Sequence, residues 1–536
     1  MGHTTPMYYV VLSAHLAVCL ALAVYGLHRY ALVYLYYKYR RNAPRKTACF
    51  RQRPRVTIQL PMYNEQCVAR RVIEAACRVD YPRDRLEVQV LDDSTDQTVA
   101  IVEETCSRLR EEGYPVVLLH RNHREGYKAG ALAEGLKLAS GEFIVIFDAD
   151  FIPPPDILDQ LIDYFVDPRV GMVQGRWEHL NREQSLLTKS QAVLLDGHFV
   201  IEHAARNRSG RFMSFNGTAG AWRRSCIDDA GGWQRDTLTE DLDLSYRAQL
   251  RGWKFVYLHE ATSPAELPPE MNGFKSQQHR WAKGGAQTCR KLLPSILRSR
   301  LSWRIKIEAF FHLTSWVSYF LILLLTVLLL PVLYLKTHVF SDNLLFRAIF
   351  DGSLVLIATC SASTFYVACQ REIFRTWAES LKYLPFLMSL GVGLSMNNAR
   401  AAWEGIFGKA SEFVRTPKFG VADHGPATMS KRPLHRVDAK HVQAWCELAM
   451  GLYLSGCVAY TVYEKMWIGL FFMCLFAIGY LYIALLTLHG LYLADRGVDL
   501  AQGMSSTVLQ SRTDPRGHGV AVPRGPAQAD QVLSSR

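Results

Sequence analysis

A polar block large enough to fold alone, bracketed by apolar stretches long enough to cross a bilayer, leaves few architectures open. Met7–Leu27 is 21 residues without Asp, Glu, Lys or Arg, sufficient for a hydrocarbon core of ~30 Å. It lacks a charged n-region and an A-x-A site, which argues against a cleaved signal peptide. Phe310–Leu335 (26 uncharged residues) and Gly352–Cys369 read as one hairpin of spans, and about Val442–Tyr463 and Met466–Ala494 as a second. Between the first span and the others lies the polar block, from about Cys49 to Lys306. The basic residues Arg29, Lys38, Arg40, Arg41, Arg45 and Lys46 follow the first span, so the positive-inside rule puts the block in the cytoplasm. Tyr383–Ala399 is apolar but carries Pro385, Gly391, Gly393, Asn397 and Asn398. It reads as an interfacial or re-entrant helix, because a sixth crossing would put the basic stretch Arg415, Lys418, Lys431 and Arg432 outside. The expectation is an integral, multi-pass protein of a plasma or inner membrane with its globular part in the cytoplasm.

The chain divides accordingly. An N-terminal helix with its basic segment (1–48) precedes the globular domain (49–273), which is followed by interfacial amphipathic helices (274–306). Four spans come next (307–494), then a Gly-, Ser- and Pro-rich tail (495–536) expected to be disordered. Charge fits this layout. There are 61 Lys+Arg against 49 Asp+Glu, a net +12, and Arg290, Lys291, Arg298, Arg300, Arg304 and Lys306 would face an anionic leaflet. No nucleic-acid partner is expected, since no recognition motif accompanies the charge. The twelve cysteines contain no CxxC pair, which excludes a zinc ribbon and gives no support to a disulfide framework.

Within the block, short apolar runs alternate with amphipathic stretches, the pattern of a parallel α/β sheet. Strands are predicted at Val56–Leu60, Leu86–Leu91, Val116–His120 and Phe143–Phe147, and helices at Cys67–Arg78, Thr98–Glu112, Lys128–Ala139 and Ile157–Phe165. Functional side chains in such sheets gather beyond the carboxyl ends of the strands. Those positions hold Tyr63-Asn64-Glu65, Asp92-Asp93-Ser94 and Asp148-Ala149-Asp150. Alternate carboxylates such as Asp148 and Asp150 can offer hard oxygens to a divalent ion, although an acidic turn after a strand looks the same. Asp92 and Asp93 could equally cap the next helix. Lys128, in GYKAGAL, opens a helix where a lysine and free amides suit a diphosphate, or is a solvated helix charge. GYKAG is not a GxxxxGK[ST] loop, which disfavours NTP hydrolysis. Thr239-Glu240-Asp241 introduces an amphipathic helix that leads into a strand at Lys254–Leu258, with Thr239 a plausible cap. Gln277-Gln278-His279-Arg280-Trp281 stands just before the membrane.

In this order, PMYNE, VLDDSTD, GYKAGAL, IFDADF, FNGTAG, TEDLDL and QQHRW resemble an inverting family 2 glycosyltransferase of the GT-A fold, in the cellulose synthase superfamily, with its cellulose synthase-like mannan and glucan synthases. The resemblance covers about residues 54–300. It implies an α/β GT-A (Rossmann-like) cytoplasmic domain inserted between transmembrane helices, and it implies roles. Asp92, Asp93 and Asp148 would contact the nucleotide, Tyr63 and Glu65 would line its base pocket, and Lys128 would hold the diphosphate. Asp150, with Asp148, would bind Mg2+ or Mn2+. Asp241 would act as general base beside Glu240, with Arg280 next to the diphosphate. Trp281, Gln277 and the FNGTAG residues Phe215, Asn216 and Gly217 would meet the acceptor. Phe413, Thr416 and Lys418 look like the family's gating loop, departing from its F-x-V-T-x-K pattern at Arg415.

The implied activity is transfer of a hexosyl group from a nucleotide sugar, UDP-glucose or GDP-mannose, to a growing β-glycan, with processive export of the polymer. Export leaves a place for accessory subunits. Single transfer to a membrane lipid (diacylglycerol or ceramide) uses much the same motifs and is the alternative. A transporter or non-catalytic nucleotide-sugar-binding membrane protein would explain the spans, but it gives no reason for Asp241 together with Arg280 and Trp281.

Overall fold

The computed structural model describes residues 5–338, 360–408, 418, 420 and 438–495. Four runs rich in Val, Ile and Leu make the parallel half of a seven-stranded sheet: β1 (Val56–Met62), β2 (Leu86–Asp92), β3 (Val116–His120) and β4 (Phe143–Ile146). Near-continuous apolar strands suit a sheet covered on both faces. β1, β2 and β4 are almost wholly buried, with helices α2 (Ala69–Cys77), α3 (Thr98–Glu111) and α4 (Tyr127–Leu138) as crossovers. All four strands stand within two residues of their predicted ends.

Three further strands extend the parallel half. After α5 (Ile157–Leu161), which passes into a 3-10 turn instead of continuing to Phe165, come β5 (Val170–His179) and β6 (Gly220–Arg223). β6 inserts antiparallel between β4 and β5, and β7 (Lys254–Ala265) closes the edge parallel to β5, giving the order β3-β2-β1-β4-β6-β5-β7. β7 continues well past the predicted Leu258 after a register shift at Gly175/Arg176. Between β5 and β6, α6 (Leu186–Asp196) runs through a π-helical segment, Gly197–His203, into α7 (Ala204–Arg208). α8 (Arg224–Asp229) and α9 (Glu240–Leu250) follow β6.

Three helices of the described residues are long and apolar enough to cross a membrane. They are Met7–Lys38 in α1 (Thr5–Lys38), Val317–Leu335 in α12 (Val317–His338) and Gly469–Leu493 in α17 (Trp467–Asp495). The span predicted from Phe310 is therefore shorter. α11 (Trp303–Leu313) ends before it, and i→i+3 bonds from Val317, Ser318 and Tyr319 tighten the chain while the Tyr25 hydroxyl donates to the Thr314 carbonyl at 3.2 Å. Much of the predicted span Gly352–Cys369 lies outside the described residues; α13 (Ser361–Ile373) holds its end. The apolar stretch 383–399 is two helices, α14 (Leu384–Gly393) and α15 (Ser395–Phe407), meeting at Leu394. α16 (Asp438–Tyr463) packs along α17 and buries Glu447 against Lys275 at 2.6 Å.

Lys275 belongs to α10 (Met271–Arg298), the 28-residue helix that carries QQHRW and joins the globular domain to the membrane helices. Its contact with the domain is very close. A Cβ at Gly284 would lie 2.5 Å from Thr239 Cγ2, so only glycine lets the helix seat there. On its other flank, Lys283 pairs with Glu404 of α15 at 3.1 Å.

Candidate active site

The cleft opens where the parallel strands end. Beyond β1, Asn64 adopts φ 57° and links two loops: its N–H donates to Ser94 Oγ at 2.7 Å, and its Oδ1 accepts from the Thr95 N–H at 2.8 Å. Tyr63 lies under the Arg124 guanidinium, 3.5 Å from the ring centroid. Asp93 accepts from Arg121 Nε at 2.6 Å. Tyr63, Glu65, Asp93, Lys128, Asp148, Asp150, Arg280 and Lys418 all line this part of the cleft.

Asp92 does not. It is buried beneath the cleft, where one oxygen accepts from the Ser94 N–H (3.0 Å) and the other meets His120 Nδ1 (2.9 Å). The structure therefore does not bring Asp92 into the cleft with Asp93; its bonds hold the loop that presents Asp93. Neither aspartate caps the next helix, whose first turn is held instead by Asp96 accepting from the Thr98 N–H.

Two lysines meet the paired carboxylates. Lys128 Nζ donates to Asp148 Oδ1 (2.5 Å) and to the Gly217 carbonyl (2.8 Å), while Lys418 pairs with Asp150. Burial alone would depress the Lys128 ammonium, but Asp148, Glu240 and Asp241 outweigh it and hold the pKa above the ordinary lysine value. Among the described residues no cluster of three or more His, Cys, Asp or Glu gathers. A pair of hard oxygen donors, each already drawing a positive charge, fits Mg2+ or Mn2+ held by one or two carboxylates plus substrate phosphates, not by an all-protein cage.

The cleft continues past Arg280 to the start of α9. Asp241 receives the Leu242 N–H on Oδ1 at 2.8 Å, and Glu240 is buried beside it. Burial and the Glu240 charge push the Asp241 carboxyl well above the usual carboxylate range, against the pull of Lys128 and Arg280. Thr239, read as a cap, makes no capping bond; its hydroxyl meets that of Thr288 on α10 at 3.2 Å. Asn216, Gly217, Gln277 and Trp281 join Asp241 and Glu240 here. From Asp241 and Trp281 a further cavity of ≈ 350 Å³, with Phe215, Asn216 and Gln277 on its walls, reaches Trp316 and Tyr319 at the head of α12. Phe413 and Thr416 of the gating-like loop lie outside the described residues.

Three participants escape a reading of motifs. Arg121 and Arg124 sit in the basic run between β3 and α4, a position whose charge could have been noticed. His198 lines the further cavity from the π-helical segment, and nothing in the sequence marks it.

The family model described as glycosyltransferase like family 2 matches residues 54–284. Among curated proteins, the chain is 35% identical over 424 residues to the probable glucomannan 4-beta-mannosyltransferase 10 of Arabidopsis thaliana, covering 76% of this chain and 73% of that protein. It is 37% identical over 378 residues to glucomannan 4-beta-mannosyltransferase 2 of the same plant, covering 68% of each. The probable glucomannan 4-beta-mannosyltransferase 9 of Oryza sativa subsp. japonica is 35% identical over 454 residues, covering 81% and 83%. Among solved structures, the mannosyltransferase PcManGT from Pyrobaculum calidifontis, in complex with GDP-Man and Mn2+, shares the fold at a TM-score of 0.51 and 20% identity, covering 74% of this chain and 99% of that one.

Proposed function

The chain belongs to glycosyltransferase family 2, alongside the plant cellulose synthase-like mannan synthases, and on that premise we propose that it transfers mannosyl groups from GDP-mannose to the end of a β-glycan and passes the product into the membrane through its own helices. The enzyme is an inverting glycosyltransferase of a multi-pass membrane protein. Mannose is the sugar named for the relatives at 35–37% identity. The observation that carries the rest is one continuous cleft. It runs from Tyr63 and Asp93, past Asp148, Arg280 and Asp241, to Trp316 and Tyr319 on the membrane side. Its last cavity is walled by Trp177, Trp281, Trp316 and Tyr319 together with Asn216 and Gln277, aromatic faces and amides that suit the rings and hydroxyls of a glycan acceptor. The basic residues after α1 favour a cytoplasmic globular domain.

The chemistry follows from what the residues can do. Asp241, with its raised pKa, takes the proton of the acceptor hydroxyl. That oxygen forms a bond to the anomeric carbon as the carbon–oxygen bond to the diphosphate breaks on the opposite face, so the configuration inverts. The diphosphate leaves with the bonding electron pair, and Lys128 and Arg280 stand where they can offset its charge. Asp150 and Asp148 would hold the divalent ion, whose contribution when bound is Lewis-acid neutralisation of the same oxygens. Trp281 offers an aromatic face to the C–H face of the acceptor ring.

The test offers purified protein in bilayers labelled GDP-mannose, UDP-glucose and GDP-glucose separately. The expected product is polymer from GDP-mannose, cleaved by a β-1,4-mannanase. Product extractable into chloroform would replace this reading with single transfer to a lipid, and absence of nucleoside diphosphate release from every donor would overturn it.

A further inference from the structure

The π-helical segment Gly197–His203 carries two histidines and a glutamate that the motifs do not explain. A π-helix closes i→i+5 bonds, so residue 203 comes round beneath residue 198. On an α-helix the two would point apart. Here the rings lie together, tilted at 56° with centroids 4.3 Å apart, and both bond to one side chain. Asn216 Nδ2 donates to His198 Nε2 at 2.9 Å, and Asn216 Oδ1 accepts from His203 Nε2. His198 Nδ1 then carries its hydrogen toward Glu202 Oε2, 3.2 Å away.

Burial pushes His203 well below the ordinary histidine value, so it is neutral. Burial would raise Glu202, but Arg206 and His198 outweigh it and keep the carboxylate ionised. The geometry sets the roles: His198 is held between Glu202 on Nδ1 and the Asn216 amide on Nε2, and His203 Nε2 meets the other end of the same amide, so the two rings together hold the way the Asn216 side chain points.

The residue after Asn216 touches the reacting groups. The Gly217 carbonyl accepts from Lys128 Nζ at 2.8 Å, and a Cβ on Gly217 would stand 3.0 Å from Asp241 Oδ2. The backbone of Asn216 is also held, its N–H donating to Gln174 Oε1 at 3.0 Å.

We propose that Glu202, His198 and His203 are positioning residues for sugar transfer: their relay clamps the Asn216 amide and thereby sets the Asn216–Gly217 turn against Lys128 and Asp241. This deepens the transferase reading and rests on it. The relay lies on the far side of Asp241 from Tyr63 and Asp93, so its loss changes the rate of transfer and leaves donor capture intact. In His198→Gln the side-chain oxygen can still accept from Asn216 Nδ2, whereas His198→Phe offers no acceptor.

The experiment compares full-length wild type, His198→Phe and His198→Gln in nanodiscs, reading kcat and donor KM by nucleoside diphosphate release and GDP affinity by calorimetry. His198→Phe should lose about tenfold or more in kcat, with donor KM and GDP affinity within twofold. His198→Gln should recover to within about threefold of wild type. Turnover of His198→Phe within twofold of wild type overturns the proposal, as does a His198→Gln variant that is equally slow or a loss of GDP affinity in step with kcat. Should His198→Phe not be recovered folded, His203→Leu releases the same amide from its other side and must show the same loss of kcat with GDP affinity kept; unchanged turnover there overturns the proposal equally. Wild type that is inactive on GDP-mannose but active on UDP-glucose counts against the donor reading alone, and the comparison is then made with UDP-glucose and UDP.

Discussion

On the side of the cleft that holds Tyr63, Asp93, Lys128 and Asp148, every side chain comes from the ends of parallel strands or the helices directly after them, and several carboxylates meet a cation close by. Arg121 serves Asp93, and Lys128 serves Asp148. The side beyond Asp241 is assembled from distant parts: Asn216 after a π-helical segment, Gln277 and Trp281 on α10, Trp316 and Tyr319 at the head of a membrane helix. Its chemistry is amide and aromatic where the first is ionic. The first side is built mainly within the globular domain, with Arg280 and Lys418 reaching it from outside, while the second exists only when that domain is seated on the membrane helices. Donor capture should thus survive many changes that ruin transfer.

Asp241→Asn should separate the two sides most sharply. An amide of nearly the same shape cannot take a proton at neutral pH, and loss of a general base costs on the order of 10²–10⁴ in rate. GDP affinity should be retained; its loss together with the fold would blur the division, and near-normal turnover would remove Asp241 from the chemistry. Asp150→Ala strikes the ionic side. Turnover should fall on the order of 10²-fold or more, with divalent-dependent GDP binding weakened as well, and wild-type activity that ignores a chelator would exclude the ion.

Trp281→Ala should raise the acceptor requirement about tenfold while leaving GDP affinity unchanged, measured as the oligosaccharide concentration giving half-maximal transfer. A main defect in nucleotide binding would assign the tryptophan to the other side. The smallest effect is on pH. The base works deprotonated, so the rate rises with pH through the raised pKa of Asp241. Glu240 is among the causes of that raise; Glu240→Gln should shift the acidic limb of the kcat profile to lower pH. A shift in the opposite direction would show that Glu240 does not burden Asp241.

The ionic side was also the legible side. β1 to β4 are continuous apolar runs with acidic or basic residues at their ends, and that pattern alone places Tyr63, Asp93, Lys128 and Asp148 on one edge. The burial of Asp92 could not be read, because buried and exposed carboxylates look alike in a sequence; His120, its partner, lies 28 residues away. β6 has four residues and sits inside the FNGTAG-AWR stretch, too short to show an alternation. The π-helical segment hid His198 and His203 because their spacing matches no α-helical face. The break before α12 is hidden for a related reason: Tyr25 of another helix bonds the Thr314 carbonyl there, a partner that local sequence does not announce. Tertiary partners, not local composition, decide these features.

The contact of Gly284 with Thr239 means that α10 cannot slide or tilt without disturbing the turn that begins Glu240-Asp241. The same helix is tied to α15 through Lys283 and to α16 through Lys275. Lateral pressure and bilayer thickness act on membrane helices, and here those helices have a stiff connection to Glu240-Asp241. A displacement of any of those helices would therefore be carried by α10 to the turn that begins Glu240-Asp241.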